Sequence, residues 1–389
     1  MTGMALGGRP RRGVRAATEA YLDWNATAPL RPEAIAAMSA ALAGCGNPSS
    51  VHRWGRTARQ TIEQARASVA LLLGASPEGV VFVSGGTEAN HLALLGSGRE
   101  RVLVAAVEHD SVLRATPEAE QIPVDRQGIV LLDALDDLLA ADLRPALVSV
   151  MLANNETGVV QPVREIAAVA RAHGALYHCD AVQAAGKIPL DVGAIGADFV
   201  TLSAHKLGGP PGVGALVMND GTELAPLLRG GGQERGRRAG TENLPGIAGF
   251  AAAAAAAVTQ IAVYDRVRAL RDALEAGVAA VTPEAMVVGA AAPRLPNTSA
   301  IALPGVAAET QVIALDLDGV MVSAGAACSS GKVGPSHVLA AMGVAPTIAG
   351  STIRASLGWN STEADIDHFL EAWTKLYRRR TFTQGARAA

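Results

Sequence analysis

Short β-branched runs alternate with stretches of helical pattern from about residue 21 to residue 217. This alternation is typical of a mainly parallel sheet flanked by helices, because each parallel strand needs a crossover connection to reach its neighbour. One crossover is well marked, since Pro162 suits a first helical turn, Ile166 and Ala170 share a face, and Gly174 ends the helix. A second predicted crossover helix covers residues 56–73, and the predicted strands are residues 80–83, 102–107, 147–151, 175–179, 199–202 and 215–218.

The length of 389 residues predicts two domains. We expect a large α/β domain over residues 18–258 and a small α+β domain over residues 259–389. The alanine block at 251–257 is predicted to begin one long helix that continues through residues 266–274. The arginine-rich segment 1–17 is expected to be flexible or to pack on the small domain. The small domain is predicted to contain a strand at 299–303 and a helix at 363–376.

Composition argues against several classes of partner. The net charge of -3 and the 3% of aromatic residues are unlike a nucleic-acid-binding protein. The longest run of small apolar residues, 246–258, is too short for a membrane span of about 20 residues and predicts a buried helix. Cys45, Cys179 and Cys328 are far apart, which fits neither a disulfide framework nor a metal site. We therefore expect a cytoplasmic protein without a structural metal.

Polar residues follow the predicted strands at their carboxyl ends, where ligands bind in open parallel sheets. The residues after the first of these strands open a helix, whose N-terminus favours a phosphate. An isolated histidine is more often structural, and a single aspartate after a strand is usually a helix cap, so both alternatives remain open at this point. The residues concerned are Gly86, Thr87, His109, Asn155, Asp180, Gln183, Ser203, His205 and Lys206.

Lys206 carries the most specific signal. It lies between a predicted buried strand and the turn Gly208 to Gly212, which contains two prolines, so it lacks the freedom of a surface lysine. Desolvation of a lysine favours its neutral amine, which is suited to Schiff-base chemistry. Asp180 lies one crossover upstream and could serve as the acid partner of a pyridine nitrogen. The pair points to pyridoxal phosphate (PLP) as cofactor.

The chain resembles the NifS/IscS-type cysteine desulfurases over about residues 21–376. The resemblance is carried by residues 21–27 (YLDWNAT), 46–50 (GNPSS), 84–90 (SGGTEAN), 108–109 (EH), 154–158 (NNETG), 178–183 (HCDAVQ) and 203–206 (SAHK). It implies the PLP-dependent transferase fold-type I, in its class V aminotransferase branch, and a homodimer.

The resemblance also implies roles for individual residues. Lys206 would hold PLP, Asp180 would pair with the pyridine nitrogen, and Gln183 would bond the ring hydroxyl. His109 would stack on the ring and relay protons, and Asn155 would lie beside cofactor and substrate. Gly86, Thr87, Ser203 and His205 would hold the phosphate, and the segment 235–241 (RGRRAGT) would send Thr241 to the phosphate of the partner subunit.

Cys328 lies in the stretch 323–331 (SAGAACSSG), which contains no large side chain for packing. Such a cysteine is expected to be exposed and mobile, as a travelling nucleophile must be. The family places its persulfide-forming cysteine in this loop, and the loop's length resembles the long mobile form. Cys45 and Cys179, in contrast, are expected to be small buried hydrophobic residues.

The implied reaction converts L-cysteine to L-alanine and leaves a persulfide on Cys328 for an acceptor protein. Arg354 would bind the substrate carboxylate, although an ordinary structural ion pair is its alternative. Selenocysteine lyase, another aminotransferase-like activity and a non-enzymatic sulfur carrier are the rival functions. A nicotinamide-binding dehydrogenase is excluded, because Gly96 and Gly98 lack the third glycine of its fingerprint. The acceptor remains open between nitrogenase maturation, iron–sulfur cluster assembly and tRNA thiolation.

Overall fold

The predicted mainly parallel sheet is present in the computed structural model, which describes residues 19–325 and 336–388, with side chains through residue 380. The described residues form the seven predicted strands, with bounds that differ from the predicted ones by at most two residues at either end, and six further strands that were not predicted. The strands are β1 (Ala20–Tyr21), β2 (Val80–Val83), β3 (Arg101–Ala105), β4 (Glu120–Ile122), β5 (Ala146–Ser149), β6 (Leu176–Asp180), β7 (Phe199–Ser203), β8 (Gly214–Met218), β9 (Met286–Val287), β10 (Thr298–Ala302), β11 (Val320–Met321), β12 (Ser323–Ala324) and β13 (Thr352–Ser356).

Seven strands form the large sheet, in the order β2-β8-β7-β6-β5-β3-β4. Strands β3 to β7 pair in parallel, whereas β8 runs antiparallel to both β2 and β7. The prediction that residues 215–218 form one more strand of the parallel series is wrong. Only residues 204–213 join β7 to β8, and a parallel crossover needs a dozen residues or more. Because β8 is antiparallel to both neighbours, β2 runs in the same direction as β7. The carboxyl ends of the six strands other than β8 therefore lie at one edge of the sheet.

Helices cover both faces of this sheet and complete the second unit. The helix α2 ends where predicted, because Gly74 adopts a left-handed conformation with φ of 61° and its N–H bonds back into the last turn. The helices are α1 (Pro32–Ala43), α2 (Arg53–Leu73), α3 (Gly86–Gly96), α4 (Asp110–Leu113), α5 (Leu132–Ala141), α6 (Val163–Ala172), α7 (Val192–Ile195), α8 (Leu244–Thr259), α9 (Val263–Val281), α10 (Ala308–Leu317), α11 (His337–Ala341), α12 (Pro346–Ala349) and α13 (Glu363–Ala388).

The alanine block forms a buried helix, as expected, but the single long helix predicted through residues 266–274 is wrong. Helices α8 and α9 are separate and meet at an angle of 78°. Ala253 of α8 packs in a core on one face of the large sheet, whereas Val267 of α9 packs in a second core. One straight helix could not bury apolar faces in both places. Across residues 19–325 and 336–388, no single helix is long and apolar enough to cross a bilayer; the α8–α9 pair would qualify by length and composition only, with that bend.

The second core lies around the sheet β12-β13-β10-β9 and contains residues such as Leu315, Ile353 and Trp373. Ala20 and Leu22 are fully buried in it, since β1 pairs in parallel with β11. The sequence analysis had assigned these residues to the first unit. The β1–β11 pairing joins segments about three hundred residues apart, so it cannot be predicted from the local sequence pattern of either segment.

Candidate active site

A cavity of about 240 Å³ opens at the shared carboxyl edge of the large sheet. Among the residues lining it that the sequence analysis did not assign are Asn90, Ser111, Met151 and Val182. Nine of the ten residues that the sequence analysis assigned to a cofactor do line it, namely Gly86, Thr87, His109, Asn155, Asp180, Gln183, Ser203, His205 and Lys206.

One wall of the cavity is suited to an anion. Gly86 is the first residue of α3, and a Cβ there would lie only 3.2 Å from Val182 Cγ2 and 3.4 Å from Ser203 Cβ, so a side chain would fill the space. The backbone N–H groups of a first helical turn favour a phosphate. Burial, and then the charge of Lys206, lower the pKa of the nearby His205 to about 4. This imidazole is therefore neutral at physiological pH and can donate one hydrogen bond.

Lys206 lies in a short 3₁₀ turn, Ala204–Lys206, directly after β7. Its Nζ donates to the carbonyl oxygens of Asn25 and Ala26, both at 2.7 Å. The turn that follows is tight, because a Cβ on Gly209 would lie 2.9 Å from the Cβ of Ala204. The amine is therefore delivered to the cavity by a backbone with little freedom to move.

Asp180 is the last residue of β6, next to β7 in the sheet, as the predicted crossover requires. Its Oδ1 accepts from the backbone N–H of Val182 at 2.9 Å, and its Oδ2 accepts from Asn90 Nδ2 at 2.8 Å. Two donors from two different elements thus orient one carboxylate that is only 7% exposed. The sequence analysis missed Asn90, although its position four residues after Gly86 places both on one face of α3.

His109 precedes α4 and acts as its N-cap. Its Nδ1 accepts from the backbone N–H of Ser111 at 3.1 Å and lies 2.8 Å from Ser111 Oγ. Both contacts hold the ring at the cavity wall by the same nitrogen.

Two buried titratable groups behind the cavity have pKa values shifted in the direction that favours their uncharged forms. Burial, and then the charge of Asp180, raise the pKa of Glu108 well above its ordinary value; its Oε1 accepts from the backbone N–H of Met151 at 2.5 Å. Burial, followed by the charges of Lys206 and Arg354, lowers the pKa of Lys187 well below its usual range.

The Nζ of Lys187 donates to Gln183 Oε1 at 2.9 Å and to Asn25 Oδ1 at 2.8 Å. The contact with Lys187 identifies Oε1 as the acceptor atom of the Gln183 amide. The Nε2 of Gln183 in turn donates to Asn25 O at 3.0 Å.

Arg354 is almost fully buried behind Asn155. Its Nη2 forms an ion pair with Asp23 Oδ1 at 2.7 Å, and its Nη1 donates to Asn155 O at 3.0 Å. Its Nε has no hydrogen-bond partner in the part of the chain that the structure describes. The structure therefore contains the ion pair that was the alternative for this residue, together with one guanidinium donor still to be satisfied.

Thr241 is the one assigned cofactor residue outside the cavity. It is exposed and lines a separate depression with Ser84, Gly212 and Asn243. The preceding loop is anchored through Glu234, whose buried carboxylate pairs with Arg66 at 2.8 Å. Within one chain, Thr241 therefore does not reach the residues assigned to the phosphate.

The predicted environments of the three cysteines compare differently with the structure. Cys328 lies outside the described residues. Cys179 is buried in β6, as expected, and burial raises the pKa of its thiol. The expectation of a buried Cys45 is wrong, because this residue is exposed on the wall of another cavity. It follows Gly44, the residue at which α1 ends.

The residues that line the first cavity fit PLP. They supply an amine at Lys206, a carboxylate at Asp180 and a helix N-terminus with the hydroxyls of Thr87 and Ser203. The buried Asn90 Oδ1, which has no partner among the residues described, shows that the polar wall is not fully satisfied by protein groups alone. Bound there, PLP would supply an electron sink for bonds at the substrate's α-carbon.

Comparison with known proteins agrees with this geometry. The family model described as "Aminotransferase class-V" matches residues 20–369. A "Cysteine desulfurase" of Cereibacter sphaeroides is 45% identical, covering 90% of this chain and 94% of that protein. A "Cysteine desulfurase IscS" of Dictyoglomus turgidum is 39% identical, covering 93% and 95%. The solved structure of a "NifS-like protein from Rickettsia africae ESF-5" superposes with a TM-score of 0.86 at 36% identity, covering 92% of this chain and 99% of that one. The chain therefore belongs to the class V aminotransferase family, as a PLP-dependent cysteine desulfurase of the NifS/IscS type.

Proposed function

We propose that the sulfur of L-cysteine is transferred to Cys328 and then to an acceptor protein, for iron–sulfur cluster assembly or other sulfur transfer. The observation that carries the proposal is the single cavity in which Lys206, Asp180 and His109 converge beside a helix N-terminus. In the reaction, the Cys328 thiolate attacks the substrate sulfur and the Cβ–S bond breaks, with its electron pair remaining on carbon. Protonation of that carbon gives L-alanine, and no oxidant is consumed.

The contacts of the remaining residues support the proposed roles. Asp180, oriented by two donors, would pair with the ring nitrogen. Gln183, held by Lys187, would donate to the ring hydroxyl the amide hydrogen that is not bonded to Asn25 O. The neutral His205 would donate to the phosphate, and His109 would carry protons.

The position of the Cys328 loop is supported by the residues that flank it. Ser336 Oγ donates to Glu156 Oε2 at 2.6 Å, and a Cβ on Gly325 would lie 3.0 Å from the same oxygen. Glu156 follows Asn155, which lines the cavity. The described residues on either side of Cys328, Gly325 and Ser336, thus lie next to the cavity, which supports the proposed role of Cys328.

Replacing Lys206 by alanine should remove the visible absorbance that depends on the bond between this lysine and PLP. A direct measurement is reduction of the native protein with borohydride followed by peptide mapping. The pyridoxyl adduct is expected on the peptide that contains Lys206. An adduct on the peptide that contains Lys187, a second lysine beside the cavity, would contradict the proposed attachment.

Replacing Cys328 by alanine should leave the absorbance of the bound cofactor unchanged and stop the release of sulfide from L-cysteine in the presence of a reductant. Cys45→Ala is the matched control, because Cys45 is exposed but lies outside the cofactor cavity. We expect that variant to retain full turnover. Radioactive sulfur from L-cysteine should be bound by wild type and lost from Cys328→Ala; normal turnover by Cys328→Ala would move the chemistry to another residue.

Replacing Arg354 by lysine should raise the KM for L-cysteine about tenfold, because lysine keeps the charge but loses the fork that binds a carboxylate. Asp23→Asn separates this role from the structural ion pair. If Arg354 binds substrate, the Asp23 variant should not raise KM, since it removes a competing carboxylate. An equal rise in KM in both variants would mean that Arg354 acts only through its pair with Asp23.

We also propose that the active form is a homodimer joined through an apolar patch formed by Leu42, Val51 and Trp54. These residues are 67%, 88% and 52% exposed, and Trp54 lines one cavity with Ala41 and Ala43, which flank Leu42. The patch lies near the N-terminal end of α8, to which the exposed Thr241 leads. In such a dimer, Thr241 would lie at the interface, where it could extend to the cofactor cavity of the partner subunit.

Sedimentation should give twice the 39.6 kDa mass of one chain. Val51→Asp should shift the protein toward the monomer and weaken PLP binding. Leu143→Asp is the matched control, since Leu143 is 89% exposed but lies after α5, away from the patch. A monomeric wild type, or equal dissociation of both variants, would rule out this interface.

A further inference from the structure

Asn90 joins two of the residues that line the cavity. Its side chain is almost fully buried, and its Nδ2 donates to Asp180 Oδ2 and to Ser111 Oγ, both at 2.8 Å. An amide nitrogen has two hydrogens, so both are used. The reversed amide would place Oδ1 against the Asp180 carboxylate, where two acceptors repel, and this fixes the orientation.

The donor–acceptor direction at Ser111 determines which ring nitrogen of His109 carries the proton. Since Ser111 Oγ accepts from Asn90, its one hydrogen is available for His109 Nδ1 at 2.8 Å. The backbone N–H of Ser111 also donates to Nδ1. With two donors directed at it, Nδ1 is an acceptor, and the proton of the neutral ring is on Nε2.

We propose that Ser111 and Asn90 are positioning residues that hold His109 as its Nε2–H tautomer and couple it to the carboxylate of Asp180. The nitrogen able to exchange protons with a substrate is then Nε2, while Nδ1 remains bound to α4. The hydrogen bonds run from Asn90 through Ser111 to His109, and the same amide orients Asp180. This inference rests on the proposed proton-carrying role of His109, but the tautomer can be measured without turnover.

The chain contains a second serine–histidine pair, which does not line the cavity. Ser149 Oγ lies 2.9 Å from His178 Nδ1, both residues are fully buried, and neither lines the cavity. Ser149→Ala therefore removes the same kind of contact from a histidine that does not line the cavity.

Nitrogen NMR of the histidine-labelled holoenzyme, with the His109 signal assigned from a His109→Gln variant, should show the Nε2–H tautomer. In Ser111→Ala, the Nδ1 signal should move toward that of a weakly bonded nitrogen, and kcat should fall about threefold to tenfold, as for the loss of one hydrogen bond. KM and PLP absorbance should be unchanged. Ser111→Thr, which keeps a hydroxyl, should restore kcat.

Asn90→Ala should lower kcat and also weaken PLP binding, because Asn90 contacts Asp180 as well as Ser111. Ser149→Ala should keep wild-type kcat. The proposal is overturned by an Nδ1–H tautomer in wild type, by wild-type kcat in Ser111→Ala, or by an equal loss of kcat in Ser149→Ala. Failure of the proposed function would instead appear as sulfide release from Cys328→Ala, with the tautomer of His109 unaffected.

Discussion

Asn25 is a fully buried residue whose hydrogen bonds connect the cavity to the second core. Its carbonyl oxygen accepts from Lys206 and Gln183, and its Oδ1 accepts from Lys187. Toward the second core, its backbone N–H donates to Ser356 and its Nδ2 donates to Thr298. Because an unpaired buried amide costs about 1–3 kcal/mol per group, these contacts fix the position of the second core relative to the cavity. The placement of Lys206 depends on that relative position.

Burial decides the charge of the groups around the site. Glu108, Lys187 and His205 are each driven toward their uncharged forms, mainly because charge is costly in a poorly solvated environment. Their hydrogen bonds orient protein groups around the cavity, as those of Glu108 to Met151 and of Lys187 to Gln183 show. The raised pKa of Glu108 in particular disfavours a negative charge that would repel a phosphate or a carboxylate.

The errors of sequence reasoning share a physical cause. The direction of β8, the break between α8 and α9, and the exposure of Cys45 depend on what each segment packs against, not on its own pattern. The same holds for Asn90 and Ser111, which are ordinary helix and cap residues by sequence. They become part of the site because α3 and α4 bring them to the same side of the sheet as Asp180.

The sequence by itself determined the fold class, seven of the strands to within two residues, and the set of polar residues at their carboxyl ends. These follow from local periodicity and from the rule that parallel strands end at one edge, so Lys206 and Asp180 could be paired before any coordinates. Only the tertiary structure decided which partners hold them: the carbonyls that accept from Lys206, the amide that joins Asp180 to His109, and the carboxylate that pairs with Arg354. Such contacts join residues that are far apart along the chain, and their geometry is set by packing, which no local pattern encodes.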